Sequence, residues 1–488
     1  MKKILLFSAM AFLAMSAFAQ SDDDLFGDDD FFGDDGIEEV ADVAAKTDLS
    51  KGVIFDSGSI KVGGSLTAGI STNTVLYSPD SDNFKDNIYN TKLTPDLSAM
   101  LSVDARPTEN LRMYTKFGFA YPFVNKITSS SFTTVDSKLY SINKNMTPDD
   151  LAKNITALQL LNDYGIISIA KTQTTSTITD WFKLKELFTD FSIKDTAFFR
   201  FGIHTVTWGA GYFFSPVSDM INTSSIDPEN PEKQVDGSLN LRTQIVIPNS
   251  QNCLWFYVVP STNFTNQTAE SYARDTALAG KADILIGNWE LGLGAFYKYQ
   301  NAPKAMITAT GSLKKVSFFG ELVYSYGAAS EWTKNKDWND KTNIFQATAG
   351  LSYYWKDPMI TLAAQYYYNG NDKDIPYNYI LSGHNIAAMA SFGKVFGSKD
   401  ITASIFAMAN FGRKEMTDAE RATFKMAGAT DAQLATLSGT SLTANAMLYY
   451  SPIKEMKIGM GPVLTFKTFD KNPDISLKLS ASLGGGKF

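Results

Sequence analysis

Residues 276–327 read TALAGKADILIGNWELGLGAFYKYQNAPKAMITATGSLKKVSFFGELVYSYG. The stretch divides into segments at 276–287, 289–299, 303–313 and 316–327, separated by Gly287-Asn288, a short connection near Asn301, and Lys314-Lys315. Inside each segment apolar and polar residues alternate with period 2, the mark of a strand whose two faces meet different surroundings. A length of roughly 10–13 residues suits a tilted strand that crosses a bilayer.

The same unit repeats in both directions. The alternation predicts strands at 58–71, 95–106, 109–121, 182–194, 196–207, 236–248 and 252–261 before the quoted stretch. After it come 342–355, 358–369, 382–394, 398–410, 439–451, 454–468 and 473–487. Connections alternate in length. Tight ones fall at Arg106-Pro107-Thr108, Lys194-Asp195, Pro248–Gln251, Gly287-Asn288, Lys314-Lys315, Lys356-Asp357, Gly397-Ser398 and Ser451-Pro452-Ile453. On the other side, 72–94, 122–181, 208–235, 262–275, 328–341, 370–381 and 411–438 are long and polar. Tight turns on one side and long loops on the other are the pattern of outer-membrane strands, with turns in the periplasm and loops outside.

The faces agree. In 109–121, Leu111, Met113, Thr115, Phe117 and Phe119 oppose Arg112, Tyr114, Lys116 and Gly118. In 236–248, Leu239, Leu241, Ile245 and Ile247 oppose Ser238, Asn240, Arg242 and Gln244. Lipid leaves no partner for a free strand edge, so such strands must close. The expected fold is all-β, a transmembrane antiparallel up-and-down barrel of about 16–18 strands. Tyr324, Tyr326, Tyr366, Tyr368, Tyr449 and Tyr450, near strand ends, suit interfacial girdles. No repeating sequence unit points to a propeller or solenoid.

The N-terminal region reads differently. Lys2 and Lys3 precede an apolar run to about Phe18, and Ala17-Phe18-Ala19 offers a cleavage site, so residues 1–19 are expected to be a signal peptide. No later run approaches a membrane helix. Residues 20–50 carry twelve acids against Lys46, whereas 51–488 carry 41 bases against 39 acids. That near-neutral balance excludes a strongly basic nucleic-acid binder. The repeat Asp22-Asp23-Asp24-Leu25-Phe26-Gly27, Asp28-Asp29-Asp30-Phe31-Phe32-Gly33 is too charged to collapse on itself. We expect 20–55 to be an acidic disordered periplasmic tail, a spacer or a ligand for a periplasmic partner, and 56–488 to be the barrel. The single cysteine, Cys253, rules out an internal disulfide framework and a cysteine metal cluster.

Two stretches resemble known families. Phe488 after an amphipathic strand resembles the terminal signature that barrel assembly machinery reads; a bulge at Gly484-Gly485-Gly486 would restore its parity with Leu477, Leu479 and Leu483. Residues 187–219 hold Leu187-Phe188-Thr189-Asp190-Phe191, Phe199-Arg200-Phe201-Gly202, Trp208-Gly209, Phe214-Ser215-Pro216 and Asp219. They resemble outer-membrane porin-like families in which a strand ends in Trp-Gly and runs into a Phe-x-Pro loop. His204 stands where such families often carry Lys. The resemblance implies a constriction loop at 208–235 that includes Pro216 and Asp219, with Gly209 and Gly211 permitting an inward turn and Trp208, Tyr212, Phe213 and Phe214 pinning it to the inner wall; an ordinary surface loop is the alternative.

Parity assigns a set of pore-lining residues. The basic residues Lys61, Arg112, Lys116, Arg200, Arg242, Lys467 and Lys478 gather where the ends of the sheet meet on closure, and His204 also lines the pore; Asp283, Glu290 and Glu321 lie on middle strands across the lumen. Such opposed walls would orient polar solutes; local pairing, such as Arg112 with Asp104 or Glu186, is the competing arrangement. Thr147-Pro148-Asp149-Asp150 predicts a helix to about Asn162, and a second helical piece starts at Thr417-Asp418. His204 and His384, the only histidines, lack a recognisable catalytic partner and read as lumen or loop residues, and no phosphate loop or metal cluster is visible. The expectation is an outer-membrane channel for small polar or ionic solutes, with no enzyme activity, cofactor or metal, surrounded by outer-membrane lipid. A gated transporter of hydrophobic compounds, resembling the fatty-acid barrels, and a structural or adhesive barrel are the rival readings; the sequence leaves the oligomeric state open.

Overall fold

The computed structural model describes residues 53–56, 58–79, 91–124, 126–135, 169–178, 181–194, 196–231, 233–261, 268–356, 359–373, 382–413, 440–467 and 472–487, with 84, 88, 415, 417, 418, 421, 422 and 434. The expected signal peptide, most of the acidic tail, the helix at 147–162 and Phe488 lie outside these residues.

The barrel strands are β1 (Ile60–Tyr77), β2 (Leu93–Thr108), β3 (Leu111–Ala120), β4 (Phe182–Ile193), β5 (Ala197–His204) and β6 (Ser238–Val246). They continue through β7 (Cys253–Val259), β8 (Ala277–Ile286), β9 (Trp289–Lys298), β10 (Lys304–Leu313), β11 (Val316–Tyr326) and β12 (Asn343–Trp355). The last third comprises β13 (Ile360–Asn369), β14 (Gly383–Phe392), β15 (Ile401–Phe411), β16 (Ser441–Tyr450), β17 (Met456–Phe466) and β18 (Asp474–Lys487). Each pairs antiparallel with the next, and β1 pairs with both β2 and β18, so the sheet closes. A short strand, Val53–Asp56, adds to the start of β1 opposite Lys61–Gly63, so the sheet begins just before the expected boundary at residue 56.

Closure removes every long free edge, and the faces then sort themselves. Leu278, Leu293, Ile307, Leu322, Ile386 and Ile405 all point outward and are exposed. Polar residues such as Asn240, Asp283, Thr308, Glu321, Thr348 and Gln365, of the opposite parity, are buried inside. Soluble proteins do not present so extensive an apolar belt. A closed antiparallel barrel with this belt is the outer-membrane architecture. Among the described residues no helix is long and apolar enough to cross a membrane.

The expected bulge near the C-terminus is present. Leu66 pairs with Gly486 and Thr67 with Gly484, leaving one residue unopposed. Gly484 has φ 139°, and a Cβ there would run into the Leu66 carbonyl, so glycine is required.

Other expectations are corrected. The connection 122–181 carries a β-ribbon, Lys126–Val135 against Ile169–Ile178, that forms a sheet of its own. Its Thr- and Ser-rich, β-branched sequence suits a strand. Tyr449 faces inward, paired with Gly459 and covered by the Lys457 ammonium 4.0 Å from its ring centroid. His384 is neither a lumen nor a loop residue. It sits on the outward face at the long-loop end, its Nδ1 2.6 Å from the Tyr366 hydroxyl and its ring stacked on Phe411.

Candidate functional site

The connection from β5 to β6 turns into the barrel. Its backbone reaches β8, β11 and β13, each reading from the face opposite the lipid-facing residues. Glycine makes the approach possible. A Cβ on Gly209 would strike the Glu321 carboxylate and Ser218, and one on Gly211 the Phe214 carbonyl.

Two wall side chains take the place of secondary-structure partners for this loop. The Glu321 carboxylate accepts from the amides of Ala210 (2.6 Å), Gly211 (2.7 Å) and Val217 (2.9 Å) and from the Ser215 hydroxyl (2.8 Å). Gln365 Oε1 accepts from the amides of Tyr212, Phe213 and Phe214, and Gln365 Nε2 donates to the Phe214 carbonyl at 2.6 Å. Irregular backbone buried away from bulk water needs such partners. A third anchor is Lys281, whose ammonium donates to the Trp208 carbonyl at 2.8 Å. The two limbs of the loop are tied by Asn222, which exchanges two 2.8 Å hydrogen bonds with the backbone of Val206.

Aromatic packing completes the docking. Trp208 meets Tyr257 edge-on at 4.8 Å and packs with Val217, Met306 and Val323. Phe214 stacks on Tyr367 at 5.3 Å, and Phe213, fully buried, abuts Phe406. Pro216 is buried, and Asp219 sits in the short 3-10 turn Ser218–Met220. Asp219 reaches lumen water, yet barrel wall surrounds it. This confinement, with Glu321 nearby, pushes its carboxyl up to about 7, against a Ser225 hydrogen bond and Lys304, which favour the charged form.

Among the residues assigned to the pore wall, all those on strands share the inward parity. Lys61 faces Asp104, Arg112 faces Asp190, Lys116 faces Glu186, and Arg200 lies between Asp190 and Arg242. Lys478 pairs in register with Asn73 and Gly461, and Glu290 with Leu285 and Thr310. Local pairing dominates on β2–β5. Arg112 Nε donates to Asp104 at 3.0 Å and stands 3.7 Å from Asp190, which takes a two-point contact from Arg200 at 2.6 and 3.0 Å. The Arg200 guanidinium covers the Phe188 ring at 4.1 Å, and that of Arg242 the Trp255 ring at 5.6 Å. Lys116 donates to Gln234 of the loop at 2.8 Å, and Lys467 pairs with Asp474 at 2.9 Å.

The picture of two opposed open walls is therefore altered. Asp283 is held by Lys281 (3.0 Å) and the Trp255 indole (2.7 Å). Glu321 is covered by the loop instead of facing open lumen, and His204 too is almost wholly buried. His204 Nδ1 lies 3.3 Å from the Gly202 carbonyl and its ring meets Phe188 edge-on. Lys61, Lys478, Glu290 and Asp219 remain exposed. Sequence reading missed Gln365, Lys281 and Asn222. Parity places the first two inside, but only the folded loop gives them partners. Among the described residues no group of His, Cys, Asp and Glu is arranged to hold a metal.

No family model matches the chain, and no curated protein matches it. Among solved structures it is similar to Pseudomonas aeruginosa OccK8 (OprE), with TM-score 0.45 and 8% identity, covering 87% of this chain and 98% of that one. OccK9 (OpdG) of the same organism gives 0.44 and 8% over 86% and 98%, and OccD3 (OpdP) gives 0.43 and 9% over 89% and 93%. At this identity and score, nothing about solute or mechanism transfers to this chain.

Proposed function

We propose that the protein is a porin-like channel of the outer membrane, through which small polar or ionic solutes diffuse. The observation that carries this reading is the inward face. An 18-stranded closed wall encloses a space wide enough for water unless filled. Here one loop, docked on β8, β11 and β13, fills part of it. The remaining wall, β16–β18 with β1–β5, presents serine, threonine, glycine and charged side chains such as Lys61, Arg112 and Lys478. Apolar solutes would find no continuous apolar path along that wall, which favours this reading over a transporter of hydrophobic compounds.

Within this reading the loop segment Trp208–Asp219 is the constriction, the acidic N-terminal tail hangs in the periplasm, and Phe488 is the assembly signal. The chain needs no cofactor for passive diffusion and performs no reaction. The test is conductance of the refolded protein in planar bilayers. Stable ohmic steps are expected; a folded, inserted protein without ionic conductance would move the reading to a structural or adhesive barrel.

A further inference from the structure

On the barrel exterior at the tight-turn end, Leu313, Lys314, Lys315, Val316, Phe318 and Tyr353 line a recess of about 370 Å³. Its construction is local. Leu313 pairs with Val316 across the turn, and Val316 pairs with Tyr353 on β12. Lys314 takes φ 58° to close the turn. One strand over, Trp289 stacks on Phe318 at 6.4 Å and lies over Gly311, where a Cβ would run into its ring. Phe318 shares its face with Leu322, and Leu313 with Ile307, so the recess opens toward the bilayer and not the lumen.

The charge at its lip sets this turn apart. Lys194-Asp195, Lys356-Asp357, Lys399-Asp400 and Lys454-Glu455 each place an acid beside the base in their turns. Lys314-Lys315 has two bases together and no neighbouring acid, and both side chains are exposed. Paired ammonium groups at the rim of an apolar, aromatic-walled recess at the membrane boundary match one chemistry, an anionic headgroup with an acyl chain.

We propose that this recess holds an anionic phospholipid of the periplasmic leaflet, its headgroup against Lys314 and Lys315 and a chain over Leu313, Phe318 and Tyr353. The proposal rests on the outer-membrane reading, with tight turns in the periplasm. The acidic repeat at residues 22–33 is the rival occupant. The described chain enters the sheet at Val53, paired with β1, which stands diametrically across the ring from β10. The repeat's phenylalanines would also gain little by replacing lipid on a lipid-facing surface.

The full-length protein is exchanged into micelles doped with either phosphatidylglycerol or phosphatidylcholine, and retained lipid is counted by native mass spectrometry. One phosphatidylglycerol is expected to be held in preference to phosphatidylcholine. Its retention should fall about thirtyfold in the K314Q/K315Q variant, the factor two basic side chains contribute at an anionic leaflet. Equal retention of the two lipids, or undiminished phosphatidylglycerol in the double variant, overturns the proposal. So does a full chain that holds none until residues 20–50 are deleted, because the tail is then the occupant. Planar-bilayer conductance of the same samples separates this from the channel reading: lipid retention without conductance leaves the lipid site standing and removes the channel.

Discussion

Replacing Glu321 by alanine removes the acceptor for three loop amides and one hydroxyl at a single point of the wall. Breaking a buried charged network from one side costs about 3–5 kcal/mol, because the remaining polar groups lose their partner. Opposing this, the aromatic anchors Trp208, Phe213 and Phe214 stay buried, each contributing about 1.5–3 kcal/mol. The single variant should therefore loosen Ala210, Gly211 and Ser215–Val217, while Trp208 and the Gln365-bound stretch Tyr212–Phe214 hold. The undocked population should rise by about two to four powers of ten. Gln365→Ala removes a second acceptor, for the amides of Tyr212, Phe213 and Phe214. In the double variant a second polar loss of similar size makes the total comparable to the roughly 4.5–9 kcal/mol that the three aromatic anchors return, and the loop should leave the wall in a large share of molecules. Chymotrypsin, which cuts after aromatic residues, reports this directly at Tyr212–Phe214, and single-channel conductance should rise in parallel. The smaller change Glu321→Gln keeps one good acceptor and should fall between. A double variant that stays folded, keeps Tyr212–Phe214 protected and conducts like the parent would refute the docking argument.

Three further outcomes follow from the same geometry. Asp219, with its carboxyl near 7, binds a proton more tightly docked than undocked. Docking should thus be strongest below about pH 4 and weaken as pH climbs to about 7, while cation preference rises through the upper part of that window; Asp219→Asn should flatten both in reversal-potential and proteolysis series. Substituting Arg112, Arg200 and Arg242 together by glutamine strips both arginines from Asp190 and leaves Asp104 with Arg106 alone. Reversal potentials should then shift toward cations, most at low salt where screening is weakest, and an unchanged selectivity in a folded triple variant would remove these arginines from the conducting wall. Deleting residues 20–50 should leave a heat-modifiable β-rich barrel with parental conductance, and failure to assemble would make the tail a structural element.

The strand pattern, the side of each turn and the inward parity of Arg112, Arg200, Arg242 and Lys478 were legible in the sequence because each is a local property. A period of 2 depends only on neighbours along the chain, and lipid on one side forces every strand to declare its face. Even the glycine bulge near the C-terminus was visible as a parity conflict between Leu483 and Phe488. The inward turn of the loop was legible from Gly209, Gly211 and the aromatic run, since only glycine admits so close a backbone approach. What Glu321, Gln365 and Lys281 do was not legible. They stand far from the loop in sequence and meet it only because closure brings β8, β11 and β13 around to face β5. The docked loop turned Glu321 from an open wall charge into a covered partner, while register between neighbouring strands gave Asp283 the Trp255 indole and set Asp190 between two arginines. Parity says which side of the sheet a residue occupies, while what it touches across the lumen depends on the whole ring and on how far the loop reaches into it.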